Sequence, residues 1–187
     1  MFDKTVDYIH MADGTAEDYA MLAANSAANP IPVADNVMGL LKGLIGNNDG
    51  NKIDRYQHSL QTATRAFNDD ADEEMTVVAL LHDIGDLYAP HNHSAFAASV
   101  LRPYISDDNH WLVLHHGIFQ GYFYFHHYGR DRDAREQFRD HPMFEKTAEF
   151  CELWDQKSFD PDYETMTLED FEPMVRRIIA KPGEKFV

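Results

Sequence analysis

Cysteine is almost missing from this chain. Cys151 stands alone, so no internal disulfide and no thiolate metal site can be assembled, and a reducing compartment is the expected setting. Basic residues are scarce too: 16 Lys and Arg face 32 Asp and Glu, for a formal charge of −16. Such a surface repels nucleic acid and anionic membranes, and neither is expected as a partner. No apolar run is long enough to span a bilayer, and the stretch from Met1 to His10 has no signal-peptide character. These absences point to a cytoplasmic protein. There is no internal repeat, no low-complexity tract and no convincing strand pattern.

Histidine, by contrast, is abundant: nine of the 11 lie between residues 58 and 127. At 187 residues and 44% apolar the chain suits one well-packed domain. Its centre is the run Val77-Val78-Ala79-Leu80-Leu81-His82-Asp83-Ile84-Gly85-Asp86. Met75, Val78, Ala79 and His82 share one helical face, so the helix that buries Val78 also carries His82 inward. Asp83 lies about 100° further round, within reach of the same buried point. A carboxylate taken into a core is costly unless a cation meets it. Gly85 then offers a helix stop.

Periodicity and cap residues predict helices over 15–27 with Thr15 as N-cap, 34–45, 54–67, and from about Asp72 to His82. Further helices are expected over 94–101, from an Asp107 cap through His116, over 131–139, over 144–153 and over 168–179, ahead of a Lys-Pro-Gly tail. Residues 1–50 form N-terminal helices and a loop, 53–160 a metal-binding core, and 161–187 a C-terminal helix and tail. The architecture is an all-α, single-domain bundle.

Read as metal ligands, the chain offers His58, His82-Asp83, His91 or His93, His115 or His116, and Asp155, each at or near a helix end. His93 is favoured because it directly precedes a helix, whereas His91 comes after Pro90 in the loop. His116 is favoured because it shares an apolar face with Leu112 and Val113, whereas His115 lies beside Trp111, where ring packing accounts for it. Imidazole and carboxylate donors suit iron, manganese, zinc or nickel. His126 and His127, within an aromatic stretch, are expected to face substrate or solvent.

The order His, His-Asp, Asp resembles the HD-domain superfamily of metal-dependent enzymes. The fuller pattern is Gln57-His58-Ser59-Leu60-Gln61, Leu81-His82-Asp83-Ile84-Gly85, His93, His116 and Trp154-Asp155. It is similar to the branch holding the mixed-valence diiron oxygenases, namely the organophosphonate-cleaving HD oxygenases and, more distantly, myo-inositol oxygenase. The resemblance implies an HD-type helical bundle in which His58, His82, Asp83 and Asp155 hold one metal. Asp83 then bridges to a second, held by His93 and His116. It implies two Fe ions resting as Fe(II)/Fe(III), with O2 and a small hydroxylated molecule as substrates. The phosphonate-cleaving relatives carry a Tyr and a Glu upstream of the first histidine, where this chain has Asn47-Asn48-Asp49-Gly50-Asn51.

Asp86, Gln120, Tyr124, Glu152 and Lys157 are the candidate substrate-binding residues, with Lys157 the expected cation. So few basic groups disfavour a phosphonate. Two other readings compete. One is an HD phosphohydrolase using Mn, Ni or Zn against a phosphate ester. The other is a non-catalytic module that senses or stores metal.

Overall fold

A computed structural model describes residues 4–180, 182 and 183. The described elements are helical throughout, with no strand among them. None of these helices is long and apolar enough to cross a membrane. By internal contacts the chain divides into residues 1–33 and residues 34–187.

In the first unit, α1 (Ala16–Ala28) is started by the expected Thr15 in a capping box with Asp18: the Thr15 hydroxyl accepts from the Asp18 N–H, and the Asp18 carboxylate accepts from the Thr15 N–H. The Tyr19 hydroxyl donates to the Met11 carbonyl at 2.6 Å, which holds the preceding turn against the helix.

The second unit is organised by α4 (Glu73–Leu81), started by Asp72, whose carboxylate accepts from the Met75 N–H at 2.7 Å. Every residue from Met75 to Gly85 is buried. A helix apolar on all sides belongs in the middle of a bundle, and neighbours surround this one. On one side is α3 (Arg55–Asn68), begun by Asp54, which accepts from both Gln57 and Gly46 N–H groups at 2.8 Å. On another is α8 (Leu168–Ile179), which buries Leu168, Phe171, Val175 and Ile179 along one stripe. The helix α2 (Val33–Gly43) contributes Val37, Met38 and Leu41 to the core. Of the tail after α8, Lys181 and residues 184–187 lie outside the described residues.

The pair α5 (His93–Leu101) and α6 (Asp107–Tyr124) packs together and closes the bundle. Ser106, not Asp107, is the cap of α6: its hydroxyl accepts from the Asn109 N–H, and Glu74 receives both the Ser106 N–H and the Asn109 amide at 2.7 Å. The helix continues two turns past His116 through much of the aromatic stretch, because Phe119 and Gly121 still face the core. His116 therefore lies in mid-helix, not near an end. The helix expected over 131–139 is only a 3₁₀ segment, Ala134–Phe138.

The helix expected over 144–153 is α7 (Phe144–Glu149), continued by a π-helical turn, Phe150–Trp154, and a 3₁₀ turn, Asp155–Lys157. Wide turns of this kind recur at functional sites because they re-aim a side chain. Here the next side chain is Asp155. The turn is pinned by the Trp154 indole N–H, which donates to the Asp69 carboxylate at 2.8 Å, and by the Ser158 hydroxyl, which donates to the Trp154 carbonyl at 2.7 Å.

Candidate metal centre

Six side chains converge between α3, the end of α4, the start of α5, the middle of α6 and the turn after α7. His58, His82, Asp83, His116 and Asp155 are buried, and His93 is partly exposed. His58 Nε2 lies 3.2 Å from Asp155 Oδ1 and 3.3 Å from Asp83 Oδ2. His82 Nε2 lies 3.3 Å from Asp83 Oδ2 and 3.7 Å from Asp155 Oδ1. The other oxygen, Asp83 Oδ1, faces His116 Nε2 at 3.0 Å and His93 Nε2 at 3.5 Å. Asp83 thus divides its two oxygens between two histidine pairs.

The imidazoles are oriented by backbone. His58 Nδ1 faces the Ser158 carbonyl at 2.9 Å, His82 Nδ1 the Ala79 carbonyl at 2.8 Å, and His116 Nδ1 the Val113 carbonyl at 2.7 Å. A carbonyl only accepts, so each Nδ1 carries a proton and each ring turns its Nε2 toward the carboxylates. Burial pushes the His58 and His82 imidazoles down, but Asp155 and Asp83 outweigh it and push them up, so a positive charge is favoured at those Nε2 atoms, whether a proton or a metal ion. Such fixing of the far nitrogen is the usual support of a metal-bound histidine. The Nε2 atoms of His58 and His82 are buried without a hydrogen-bond partner. Lone pairs facing carboxylate oxygens at these distances repel unless protons or cations lie between them. Burial pushes the Asp83 carboxyl up, but the His82, His116 and His58 rings outweigh it and hold it well below the usual range. Asp155 is likewise lowered against its burial by His58 and His82. The donor set fits a pair of metal ions. Ligand atoms of His58, His82 and Asp155, of His82, Asp83 and His116, and of Asp83, Asp86 and His93 each gather within 4.8 Å of one another.

The flanking motif residues act on the backbone. Gln61 clamps residue 160: its amide donates to the Asp160 carbonyl at 2.6 Å, and its carbonyl oxygen accepts from the Asp160 N–H at 3.3 Å. This holds the segment that presents Ser158 to His58. Gly85 does not end α4 through a left-handed cap, since its φ is not positive. A Cβ there would lie 2.6 Å from the His93 carbonyl oxygen and 2.7 Å from its Cα, so Gly85 is where the α5 start approaches α4. Gly85→Ala is expected to cost about 1–3 kcal/mol through overpacking and to push His93 away from Asp83. A lowered denaturation midpoint together with reduced metal content checks this.

A cavity of about 440 Å³ opens onto the site, lined by Asp83, Asp155 and His116 at its floor and by Arg55, Asp86, Gln120 and Tyr124 on its walls. Gln120 Nε2 donates to Asp155 Oδ1 at 3.2 Å. His127 also lines the cavity, whereas His126 is exposed away from it. Two substrate-binding expectations fail: Glu152 and Lys157 are exposed and do not line it. The π-helical turn swings them outward while aiming Asp155 in. The cation at the cavity is instead Arg55, which sequence reasoning missed. Its Nε lies 2.9 Å from Asp86 Oδ2, an ion pair whose angle falls short of a hydrogen bond, and its Nη1 lies 3.9 Å from Asp83. Burial and the Asp83 charge push the Asp86 carboxyl up to about 6, with Arg55 opposing. Arg55 was discoverable as the residue one helical turn before His58.

The neighbouring histidine, His115, points elsewhere. It stacks on Trp111 at 4.1 Å, and its Nδ1 faces the Trp111 carbonyl at 2.8 Å. Cys151 is buried with its thiol pushed well above its ordinary pKa by burial, so it is no nucleophile.

A family model for the HD domain matches residues 55–155, more than half of the chain. The chain belongs to the HD-domain family, whose members are metal-dependent phosphohydrolases and related enzymes, and the His/Asp cluster lies within the matched segment. No curated protein matches the chain.

Proposed function

We propose that this protein is an HD-type diiron oxygenase that oxidises or cleaves a small hydroxylated substrate with O2. The observation that carries the reading is the division of Asp83 between two histidine pairs, with Asp155 the other carboxylate of the six proposed ligands. His58, His82, Asp83 and Asp155 would hold one iron, and Asp83, His93 and His116 the other. The pair, once bound, would acidify a coordinated substrate hydroxyl and supply the first electron to O2, with the remaining electrons coming from the substrate as it is oxidised. The chain's own residues prepare the rest. Gln120 holds Asp155 from the cavity side, and the Arg55–Asp86 pair forms a polar wall able to accept from and donate to substrate hydroxyls. Phe159 stacks on the His58 ring at 4.5 Å and lines the cavity, which limits water at that edge. The test is turnover of candidate polyols and amino alcohols by iron-loaded protein with and without O2.

Arg55 favours a second reading, a metal-dependent phosphohydrolase, since a guanidinium at the cavity wall suits a phosphate. Asp86 and Asp83 already face this guanidinium, so a phosphate must compete with two carboxylates. Methylphosphonate and methyl phosphate, which carry no hydroxylated chain and can only occupy the metal-site cavity, are therefore expected to bind weakly. Tight binding in a calorimetric titration of metal-loaded protein would favour the hydrolase.

A further inference from the structure

A second cavity, about 900 Å³, adjoins the metal-site cavity, and the two share His93, Gly117 and Tyr124 as walls. A small hydroxylated molecule would need only the smaller space, since pockets of about 300–1,000 Å³ each accommodate a whole ligand. Gly117 matters at the junction: a Cβ there would lie 2.9 Å from the Ser94 hydroxyl and 3.5 Å from His93 Nε2, so a side chain would crowd the wall that the two cavities share beside the metal site.

The second cavity holds one feature the reaction site does not use. Of the chain's nine arginines, six face a carboxylate within 4.0 Å: Arg55, Arg102, Arg135, Arg139, Arg176 and Arg177. Among the three without such a partner among the described residues, only Arg130 lines either cavity. Its position is built. Gly129, at φ +66°, reverses the chain so that the Arg130 N–H donates to the Phe125 carbonyl at 3.0 Å. The guanidinium lies 3.7 Å from the centre of the buried Phe125 ring. The adjacent Asp131 also lines the cavity, but its Oδ1 accepts from the Asp133 N–H at 2.9 Å.

We propose that the substrate is two-ended, with a hydroxylated head at the Asp83 cavity and a tail ending in an anionic oxyacid group, carboxylate or phosphate, held by Arg130 in the adjoining cavity. The tail passes between Gly117 and Tyr124. This rests on the Asp83 cavity being the reaction site. A guanidinium stacked on an aromatic face keeps its donors free in one plane, the geometry that grips a carboxylate or phosphate with two hydrogen bonds. Arg130 is exposed at the cavity's open side, so in a chain of charge −16 it offers a solvent-accessible cation whose guanidinium no described carboxylate faces within 4.0 Å.

The test uses iron-loaded full-length protein and calorimetric titration with ω-hydroxycarboxylates, from hydroxybutanoate to hydroxyoctanoate. The α,ω-diols and ω-hydroxyalkyl phosphates of the same lengths are titrated alongside. At one length or more, the carboxylate or the phosphate should bind at least about ten-fold tighter than the diol, the usual scale of a charged hydrogen bond. Whichever of the two is tighter identifies the tail. Arg130→Gln should erase the preference, and Arg132→Gln, which alters an arginine stacked on Tyr122, should leave it. Equal binding of acids and diols, a preference that survives Arg130→Gln, or no binding by any member overturns the proposal. The titrations are repeated after chelation. Loss of the hydroxyl's contribution on chelation tests the metal site, whereas the acid-to-diol ratio tests Arg130, so the two readings fail separately.

Discussion

Asp83→Ala is expected to leave the purified protein without bound metal. The Asp83 carboxylate is within 3.5 Å of the Nε2 atoms of His58, His82, His93 and His116, so one carboxylate joins both halves of the site. Without it, Asp155 is left as the sole anion among the proposed ligands, and no group bridges. Changes to outer-shell residues around a metal lower affinity about 10–100-fold, and loss of a bridging ligand should exceed that. Metal analysis of Asp83→Ala and of the near-isosteric Asp83→Asn, with circular dichroism to establish folding, checks the expectation. Wild-type metal content in a folded Asp83→Ala protein would sink the shared-site reading. The adjacent histidines sharpen it: His116→Ala should lose one ion of the two, and His115→Ala, whose ring packs on Trp111, should keep both.

Why some of this was legible in the sequence and some was not has physical causes. Helix α4 announced itself because a run apolar on every side that ends in His82-Asp83 has few solutions other than a central helix delivering polar groups to the core. The facing positions of His115 and His116 were readable for the same reason, since helical period decides which of two neighbours looks inward. Arg55 was missed because charged residues near a helix start ordinarily point to water, and only the close Asp86 shows otherwise. Glu152 and Lys157 were misplaced because a π-helical turn breaks the α-helical repeat at Phe150–Trp154: Glu152 sits within the widened turn, and Lys157 in the 3₁₀ turn that follows it. Nothing in local composition marks such a turn. Gly85 illustrates a third kind of gap: its need for a missing side chain comes from the His93 backbone packed against it, a contact between elements that no local signal carries.

Oxygenase and hydrolase share nearly every side chain described, so the largest functional effect separates them. With two carboxylates among six proposed ligands, the site compensates little positive charge, which disfavours two ferric ions and leaves a one-electron-reduced pair as the expected resting state. Iron-loaded protein after mild oxidation should therefore contain antiferromagnetically coupled Fe(II)/Fe(III). Such a pair has half-integer spin and gives EPR signals at g values below that of the free electron, unlike a coupled diferric site, a zinc site or a manganese site. His93→Ala, which removes a ligand from one half only, should abolish this coupled signal while leaving iron at His58, His82, Asp83 and Asp155. Turnover should consume O2 in proportion to product and stop under argon. A hydrolase would work equally well without oxygen and cleave a chromogenic phosphodiester with manganese or nickel bound. Undiminished anaerobic turnover with no coupled iron signal would end the oxygenase reading, and the Arg55 wall would then be read as a phosphate contact.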